Sequence, residues 1–413
     1  MGDYVETIVI GGGQAGLAMS YQLQQHGREH IVIERARVAE RWRTERWKSL
    51  RFQFPNGMMR LPGYAYDGDD PDGFMECEGV VNFITHYANK IAAPLHCGIN
   101  VVKLRHASSG KRFVVETDAY HLESSNVVVA TGPYQRPSVP TFGRDIPSFV
   151  YQITANRYTS ADQLPNGVLV VGAGASGVQI AEDLLRDGQH VFLSVGRHRR
   201  VPRRYRGKDY GWWQEKMGRF DTPASALPTG HLTPLLSGVN GGRDVDLRRL
   251  AEQGVTLLGS LKDASNGRLY FASDLKENLA KGDQGCHDFR RSVEAFIADH
   301  GLDAPEEAIV ETIKTTDPPS LSEIDVRKMG INAIIWATGY EYDFGWIKMP
   351  VFDAHNDPIH SRGVTSVDGL YFLGLARLHK IKSSILWGVG DDADYLARQI
   401  AMRSVNVQVS RFR

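Results

Sequence analysis

An α/β fold built from two parallel-sheet units is what this 413-residue sequence predicts, and three observations predict it. A short β-branched run leads into a glycine-rich turn, a helical pattern and a second strand. The same succession recurs further along the chain. The two copies then end in opposite charge. The length suits two domains of ordinary size, and a composition of 42% hydrophobic and 23% charged residues is that of a soluble globular protein.

The first copy opens with VETIVI, Val5 to Ile10, whose β-branched residues predict a buried parallel strand. Gly11, Gly13 and Gly16 follow at G-x-G-x-x-G spacing, with Gln14 and Ala15 inside the motif, and QAGLAMSYQLQQHG carries a helical pattern that stops at Gly27. One glycine makes the turn, one admits a pyrophosphate to the backbone, and one lets helix and strand touch, so that the helix N-terminus faces phosphate. The next strand, HIVIE, ends in Glu34 ahead of Arg35, where an acid accepts the hydroxyls of a ribose.

The second copy has the strand GVLVV, then Gly172, Gly174 and Gly177 enclosing Ala175 and Ser176, a helix ending near Gly188, and the strand HVFLSV. Its end is SVGRHRRVPRR, with Ser194, Arg197, His198, Arg199 and Arg200 and no carboxylate. An acid would repel a 2′-phosphate, whereas a guanidinium grips one with two charge-assisted bonds, so this copy is expected to prefer NADP to NAD through Arg197. A solvated basic loop or a nucleic-acid patch is the other account of these charges. Two unlike turns suit two dinucleotides, FAD in the first and NADPH in the second, with hydride passing between them.

Other classes are excluded by bulk properties. Zero formal net charge and a pI near 7.3 give no field to attract nucleic acid or an anionic membrane. Cys77, Cys97 and Cys286 are far apart, without C-x-x-C or metal-ligand spacing, so neither a metal nor a redox dithiol is expected. The first strand pattern begins within a few residues of Met1, leaving no room for a signal peptide, and no apolar stretch of about 18 residues is present. A cytoplasmic location is expected.

The chain resembles the two-dinucleotide-binding flavoproteins, and within them the class B flavin-containing monooxygenases, near the small bacterial members and the plant auxin-forming enzymes. VVVATGPYQRP and IIWATGY carry the resemblance: Ala130, Thr131 and Gly132, then Ala337, Thr338 and Gly339, match the family's crossings between an FAD domain and an inserted NADPH domain. The resemblance therefore implies two Rossmann-like domains, with 1–151 and 331–413 forming a discontinuous FAD domain and 152–330 the NADPH domain. It also implies that Trp42 and Arg43 lie near the FAD, that Gly388, Gly390 and Asp391 meet the flavin at the start of the last helix, and that Asn56 of FPN is a donor at the reacting oxygen. A capping or turn role for Asn56, which precedes Gly57, is the alternative.

The sequence departs from the family in the linker before the second glycine turn. The family's F-x-G-x-x-x-H is replaced by SFVYQITANRY, with Thr154 in the histidine's place, and the Baeyer-Villiger form of the linker is missing. Thr154 and Asn156 are candidate donors near the nicotinamide, or ordinary linker residues. RRYRGKDYGWWQEKMGRF, Arg203 to Phe220, is expected to serve packing before it serves a pocket.

The mechanism the resemblance implies is reduction of FAD by NADPH, uptake of O₂ at C4a as a hydroperoxide, and insertion of one oxygen atom into a small heteroatom-containing or heteroaromatic substrate. A flavin oxidase or reductase of the same fold, a Baeyer-Villiger enzyme and a non-catalytic nucleotide-sensing module are the alternatives. No nucleic-acid or membrane partner is expected; a homodimer is compatible with the sequence.

Overall fold

The computed structural model describes residues 3–108, 112–228, 230–307 and 321–411. The chain enters a first sheet through parallel strands β1 (Asp3–Ile10), β2 (His30–Glu34) and β3 (Leu95–Cys97). A hairpin of β4 (Val101–His106) and β5 (Phe113–Thr117) then feeds β6 (His121–Val129), which pairs parallel to β1. The chain leaves to build a second, wholly parallel sheet of β7 (Tyr151–Thr154), β8 (Val168–Val171), β9 (Val191–Ser194), β10 (Thr256–Leu258) and β11 (Ala333–Trp336), in the order β7-β11-β8-β9-β10. It returns through β12 (His360–Ser361), β13 (Val364–Thr365) and β14 (Leu370–Phe372), the last pairing with β6.

Period-two alternation distributes the first sheet's side chains between two cores. Val9, Val32 and Val128 point to one face, which helices α1 (Gln14–Gln25), α2 (Glu40–Thr44) and α3 (Cys77–Lys90) flank. Ile8, Ile10, Ile33, Val127 and Phe372 point to the other, against Phe344 and Val351. Both faces are covered, which is why these strands read as continuous apolar runs. In the second sheet Val168, Val170 and Leu193 pack under α4 (Ala175–Arg186), while Leu169, Phe192 and Ile334 meet an antiparallel trio of strands, Leu261–Ser265, Arg268–Phe271 and Glu323–Asp325.

Beyond β9 come α5 (Tyr210–Lys216), α6 (Leu247–Glu252) and the long α7 (Leu275–His300); α8 (Val389–Arg411) closes the chain and packs on α1. The aromatic segment singled out in the sequence serves packing: Tyr205, Tyr210 and Trp213 form a core with Phe289 and Val293 of α7. Among the described residues, no helix is long and apolar enough to cross a membrane.

Two devices tie the sheets together. Where the chain crosses between them the outgoing and returning segments pair, Pro137 with Tyr340 and Arg136 with Glu341, and Ser138 donates to the Gly339 carbonyl at 2.9 Å. Trp47 and Leu50, which follow α2, are buried in the second core. There Tyr158 donates to Asp183 Oδ2 at 2.7 Å, and Ser49 bonds the other carboxylate oxygen. Burial and this carboxylate push the Tyr158 phenol up. Because the carboxylate would lose a buried donor, Tyr158→Phe is expected to destabilise the protein by about 1.5–3 kcal/mol, read as a lower urea midpoint at unchanged slope. An unchanged midpoint would show that the Tyr158 hydroxyl contributes nothing.

Candidate functional site

Both glycine turns are closed in the same way. Gly11 has φ +118° and donates to the Ile33 carbonyl at 2.8 Å; Gly172 has φ +112° and donates to Ser194 at 3.1 Å. A Cβ on Gly11 would lie 2.5 Å from the carbonyl oxygen of Ala130, and one on Gly172 2.5 Å from that of Ala337. In the helices that follow, a Cβ on Gly16 or Gly177 would overlap the carbonyl of Gly11 or Gly172. The two A-T-G segments are thus the walls against which the turns are pressed, and only glycine fits the positions they touch.

The turns leave two helix ends bare. Gly13 and Gly174 are the N-caps of α1 and α4; neither helix has a capping side chain or an acidic residue in its first turn. The unpaired N–H groups and positive dipole ends are open to phosphate. Beside the first turn, Glu34 accepts from the Gly12 amide at 2.7 Å and the Ala36 amide at 3.0 Å, so its carboxylate is fixed at the end of β2. Both helix ends open into one cavity of about 1340 Å³, which runs from Glu34 and Arg35 past Gly174 to Arg197. An uncapped helix end in a Cβ-free cradle at each turn, joined by one cavity, fits two bound dinucleotides.

Of the residues identified in the sequence, Gly11, Gly13, Gln14, Ala15, Glu34, Arg35, Trp42, Ala130, Thr131 and Gly132 line this cavity on the first-sheet side. Gly174, Ala175, Ser176, Arg197, His198, Ala337 and Gly339 line it on the second. Gly16, Gly172 and Gly177 lie behind the turns, and Thr338 is turned away to donate to the Ser138 carbonyl.

Several expected residues are not brought to the cavity. Asn56 is buried elsewhere and donates to the Asp70 carbonyl at 2.9 Å, a structural bond across the loop rather than the cap or turn weighed against a catalytic role. Thr154 donates to Asn156 Oδ1 at 2.7 Å; only Ala155 between them reaches the cavity. Arg43 is spent on the Val38 carbonyl at 3.0 Å and on Thr85 at 3.2 Å, while its neighbours Arg41, Glu45 and Arg46 line the site. Ser194 has both lone-pair and proton engaged, donating to the Gly259 carbonyl at 2.9 Å and accepting from Leu261 at 3.0 Å. Gly388 and Gly390 pack on Lys382 and Pro62, and Asp391 pairs with Lys382 at 2.9 Å. The cavity instead meets Ser384, Ile385 and Leu386, one turn earlier, with Gln14 donating to the Ser384 carbonyl at 2.6 Å.

Charge varies along the cavity. At the first-sheet end Arg41 is paired with Glu45 at 2.8 Å and Arg51 with Glu76 at 2.6 Å, and Arg46 lies over the Trp42 ring at 5.2 Å. At the other end Arg197, Arg199, Arg219, His231 and Arg377 line the wall. His198 brings no charge there: burial lowers its pKa, its Nδ1 lies 3.1 Å from the Gly196 carbonyl, and its Nε2 is buried against Gly282. One stretch of the wall is apolar, with Phe54 and Phe220 backed by Trp387; the Phe54 and Trp387 ring centroids are 4.7 Å apart, edge to face. None of Cys77, Cys97 and Cys286 lines the cavity. Phe54 is the phenylalanine of FPN, and Arg219 and Phe220 end the aromatic and basic segment Arg203 to Phe220; His231 and Arg377 carry no motif of their own.

Residues 8–210 match the family model of the pyridine nucleotide-disulphide oxidoreductases. The chain is 32% identical over 404 residues to an oxidoreductase of Geobacillus kaustophilus described as CzcO-like, covering 97% of this chain and 99% of that one. It is 31% identical over 195 residues to the probable indole-3-pyruvate monooxygenase YUCCA1 of Arabidopsis thaliana, covering 46% of each. The fold is similar to that of a flavin-containing monooxygenase from Stenotrophomonas maltophilia, with TM-score 0.67 and 18% identity, covering 97% of this chain and 99% of that one.

The Gly11 cradle generates a direct expectation. Gly11→Ala puts a methyl group into the Ala130 carbonyl at a backbone angle that L-residues rarely adopt, so the turn must open. The variant is expected to purify with at least about tenfold less bound flavin, measured as the ratio of 450 nm to 280 nm absorbance, since the helix-end contact to phosphate is lost with the turn. A normally yellow protein would contradict this.

Proposed function

This chain belongs to the CzcO-like oxidoreductases, and from that premise we propose that it is an NADPH- and FAD-dependent monooxygenase acting on a small heteroatom-containing or heteroaromatic molecule. The observation that carries the proposal is the cavity joining two uncapped glycine-turn helices, one beside a fixed carboxylate and one beside arginines that form no ion pair among the described residues. The names of the YUCCA1 and Stenotrophomonas proteins support oxygenation.

In this proposal 1–151 and 331–413 hold FAD and 152–330 holds NADPH. The N–H groups at the start of α1 take the FAD pyrophosphate, and Glu34, braced by two backbone amides, accepts the adenosine ribose hydroxyls. The start of α4 takes the NADPH pyrophosphate, and Arg197 the 2′-phosphate. Bound together, the two cofactors supply hydride transfer and the activation of O₂. The chain's own contribution is orientation and exclusion of water, and the Phe54, Phe220 and Trp387 rings form the dry wall. Disulfide reduction, the other activity that the matched family model's description suggests, is disfavoured by the cysteines. They lie off the cavity, and burial pushes the Cys77 and Cys286 thiols up to about 11, protonated at neutral pH.

Two outcomes test this function. Arg197→Ala is expected to weaken NADPH use by about 1.5–3 kcal/mol in kcat/KM, the scale of a bond to a charged group, with NADH use nearly unchanged. Equal losses with both nucleotides would remove Arg197 from the phosphate. With NADPH, ¹⁸O₂ and a panel of amines, sulfides and heteroaromatics, one labelled oxygen is expected in a product by mass spectrometry. Complete recovery of the consumed oxygen as hydrogen peroxide across the panel would replace the monooxygenase with an oxidase.

A further inference from the structure

The basic end of the cavity holds more positive charge than a nucleotide phosphate held by Arg197 accounts for. Among the described residues Arg197, Arg199, Arg219 and Arg377 form no ion pair, in contrast to Arg41 and Arg51 at the opposite end. The acid on this wall, Asp288, is engaged by Arg291 at 2.5 Å and Gln284 at 2.8 Å. Three of the basic groups converge from three separate parts of the chain. Arg199 follows β9, with its carbonyl accepting from Leu235 at 2.8 Å and its stem against Gly285 of α7. His231 lies in the strap formed by the described residues 219–228 and 230–236, which carries two short 3-10 turns, Arg219–Asp221 and Ala224–Ala226. Arg377 follows β14 in the returning segment, with φ +56°, and donates to the His231 carbonyl at 2.6 Å.

That arrangement is built rather than incidental. The strap is laid along the returning segment by Ala224 donating to His379 at 2.8 Å and Ile381 donating to Thr222 at 3.1 Å, which fixes His231 beside Arg377. Burial first, then the charges of Arg199 and Arg377, lower the pKa of His231, so the three groups stand within electrostatic reach of one another. Two guanidiniums held together by the fold on a cavity wall, with Asp288 beside Arg199 already engaged by Arg291 and Gln284, are stabilised by a bound anion, to which His231, its pKa lowered, offers a neutral imidazole donor. The position favours the molecule to be oxidised over the nucleotide: Arg377 is three residues beyond Gly374, where a Cβ would lie 2.5 Å from the Cβ of Ala15 in the first glycine turn. The strap that carries His231 also carries Phe220 of the apolar wall.

We propose that Arg199, His231 and Arg377 form an anion subsite that takes the carboxylate of the substrate, an organic acid whose apolar body lies against Phe54 and Phe220. The proposal rests on the cavity being the active site of the oxidoreductase, and not on which oxidation follows.

Isothermal titration of the oxidised, flavin-loaded protein with phenylacetate and with phenylacetamide tests it, because the two share a body and differ in charge. The acid is expected to bind about tenfold or more tightly than the amide at low salt, with the difference shrinking as salt rises. Arg377→Gln and, from an independent element, Arg199→Gln are each expected to bring the two ligands to within about twofold, while Arg377→Lys keeps part of the preference. Retained flavin absorbance in the variants shows that they are folded. Equal binding of acid and amide to the unaltered protein, no binding of the acid, or a preference unchanged in both glutamine variants would overturn the proposal. A loss of NADPH-over-NADH preference in Arg377→Gln, with acid binding intact, would assign the cluster to the cofactor's phosphate and equally overturn it. Titration of the resting protein needs neither NADPH nor O₂, so a failed oxygenation assay leaves this result standing on its own.

Discussion

A carbonyl oxygen pressed against a glycine, twice, is the contact on which the rest of this molecule depends. Ala130 and Ala337 each place a backbone oxygen where the Cβ of Gly11 or Gly172 would be, and Gly16 and Gly177 lie against the carbonyls of those same glycines. Strand, turn, helix and crossing segment therefore lock as one unit in each half. The lock sets the helix ends at a fixed distance from the strand ends, and because neither helix has a capping side chain, their N–H groups are left for a ligand. A cap would have stabilised each helix by about 1 kcal/mol. Its absence at both turns gives up stability where binding needs bare donors.

The repetition of the lock also explains how one cavity comes to face both turns. The segments leaving Ala130 and Ala337 are the ones that cross between the sheets, and they pair with each other through Pro137 and Tyr340, with Arg136 and Glu341 in an ion pair at 2.7 Å. Whatever fixes a turn also fixes the crossing next to it. The second point of attachment, the strap bonded at His379 and Ile381, closes the cavity on the far side and brings Phe220 and His231 to it. Trp47 and Leu50 in the second core, and Tyr158 and Ser49 on one carboxylate, leave the halves with shared buried contacts rather than a flexible linker.

Electrostatics divides the cavity more sharply than its shape does. Glutamates pair with Arg41 and Arg51 around the first turn, whereas among the described residues Arg197, Arg199, Arg219 and Arg377 on the far wall form no ion pair. A protein of zero net charge thus presents a locally basic site, and the charge is carried by side chains from segments with no local relation to one another.

What the sequence by itself determined is whatever depends on neighbours along the chain. The β-branched runs, the glycine spacing, the helix stops near Gly27 and Gly188, and the contrast between Glu34 and Arg197 all follow from local backbone sterics and period, and each lies on the elements the pattern indicated. Even the A-T-G segments were marked in sequence, although the reason for them, a carbonyl filling a missing Cβ, belongs to the packing. Tertiary structure decided which of the neighbouring side chains meet the cavity. Arg43 and Arg46 are equally basic and three residues apart, yet Arg43 turns to Val38 and Thr85 while Arg46 lies over Trp42. Ser194 and Asp391 find nearer partners, and a polar group already satisfied by the fold gains little by turning to a ligand; Asn56 is held away from the cavity by its Nδ2 bond to Asp70, with its Oδ1 buried. Arg199, His231 and Arg377 meet only because a strap from one half is bonded to a loop of the other. A convergence of that kind is set by contacts between segments far apart in the chain, and local periodicity carries no record of it.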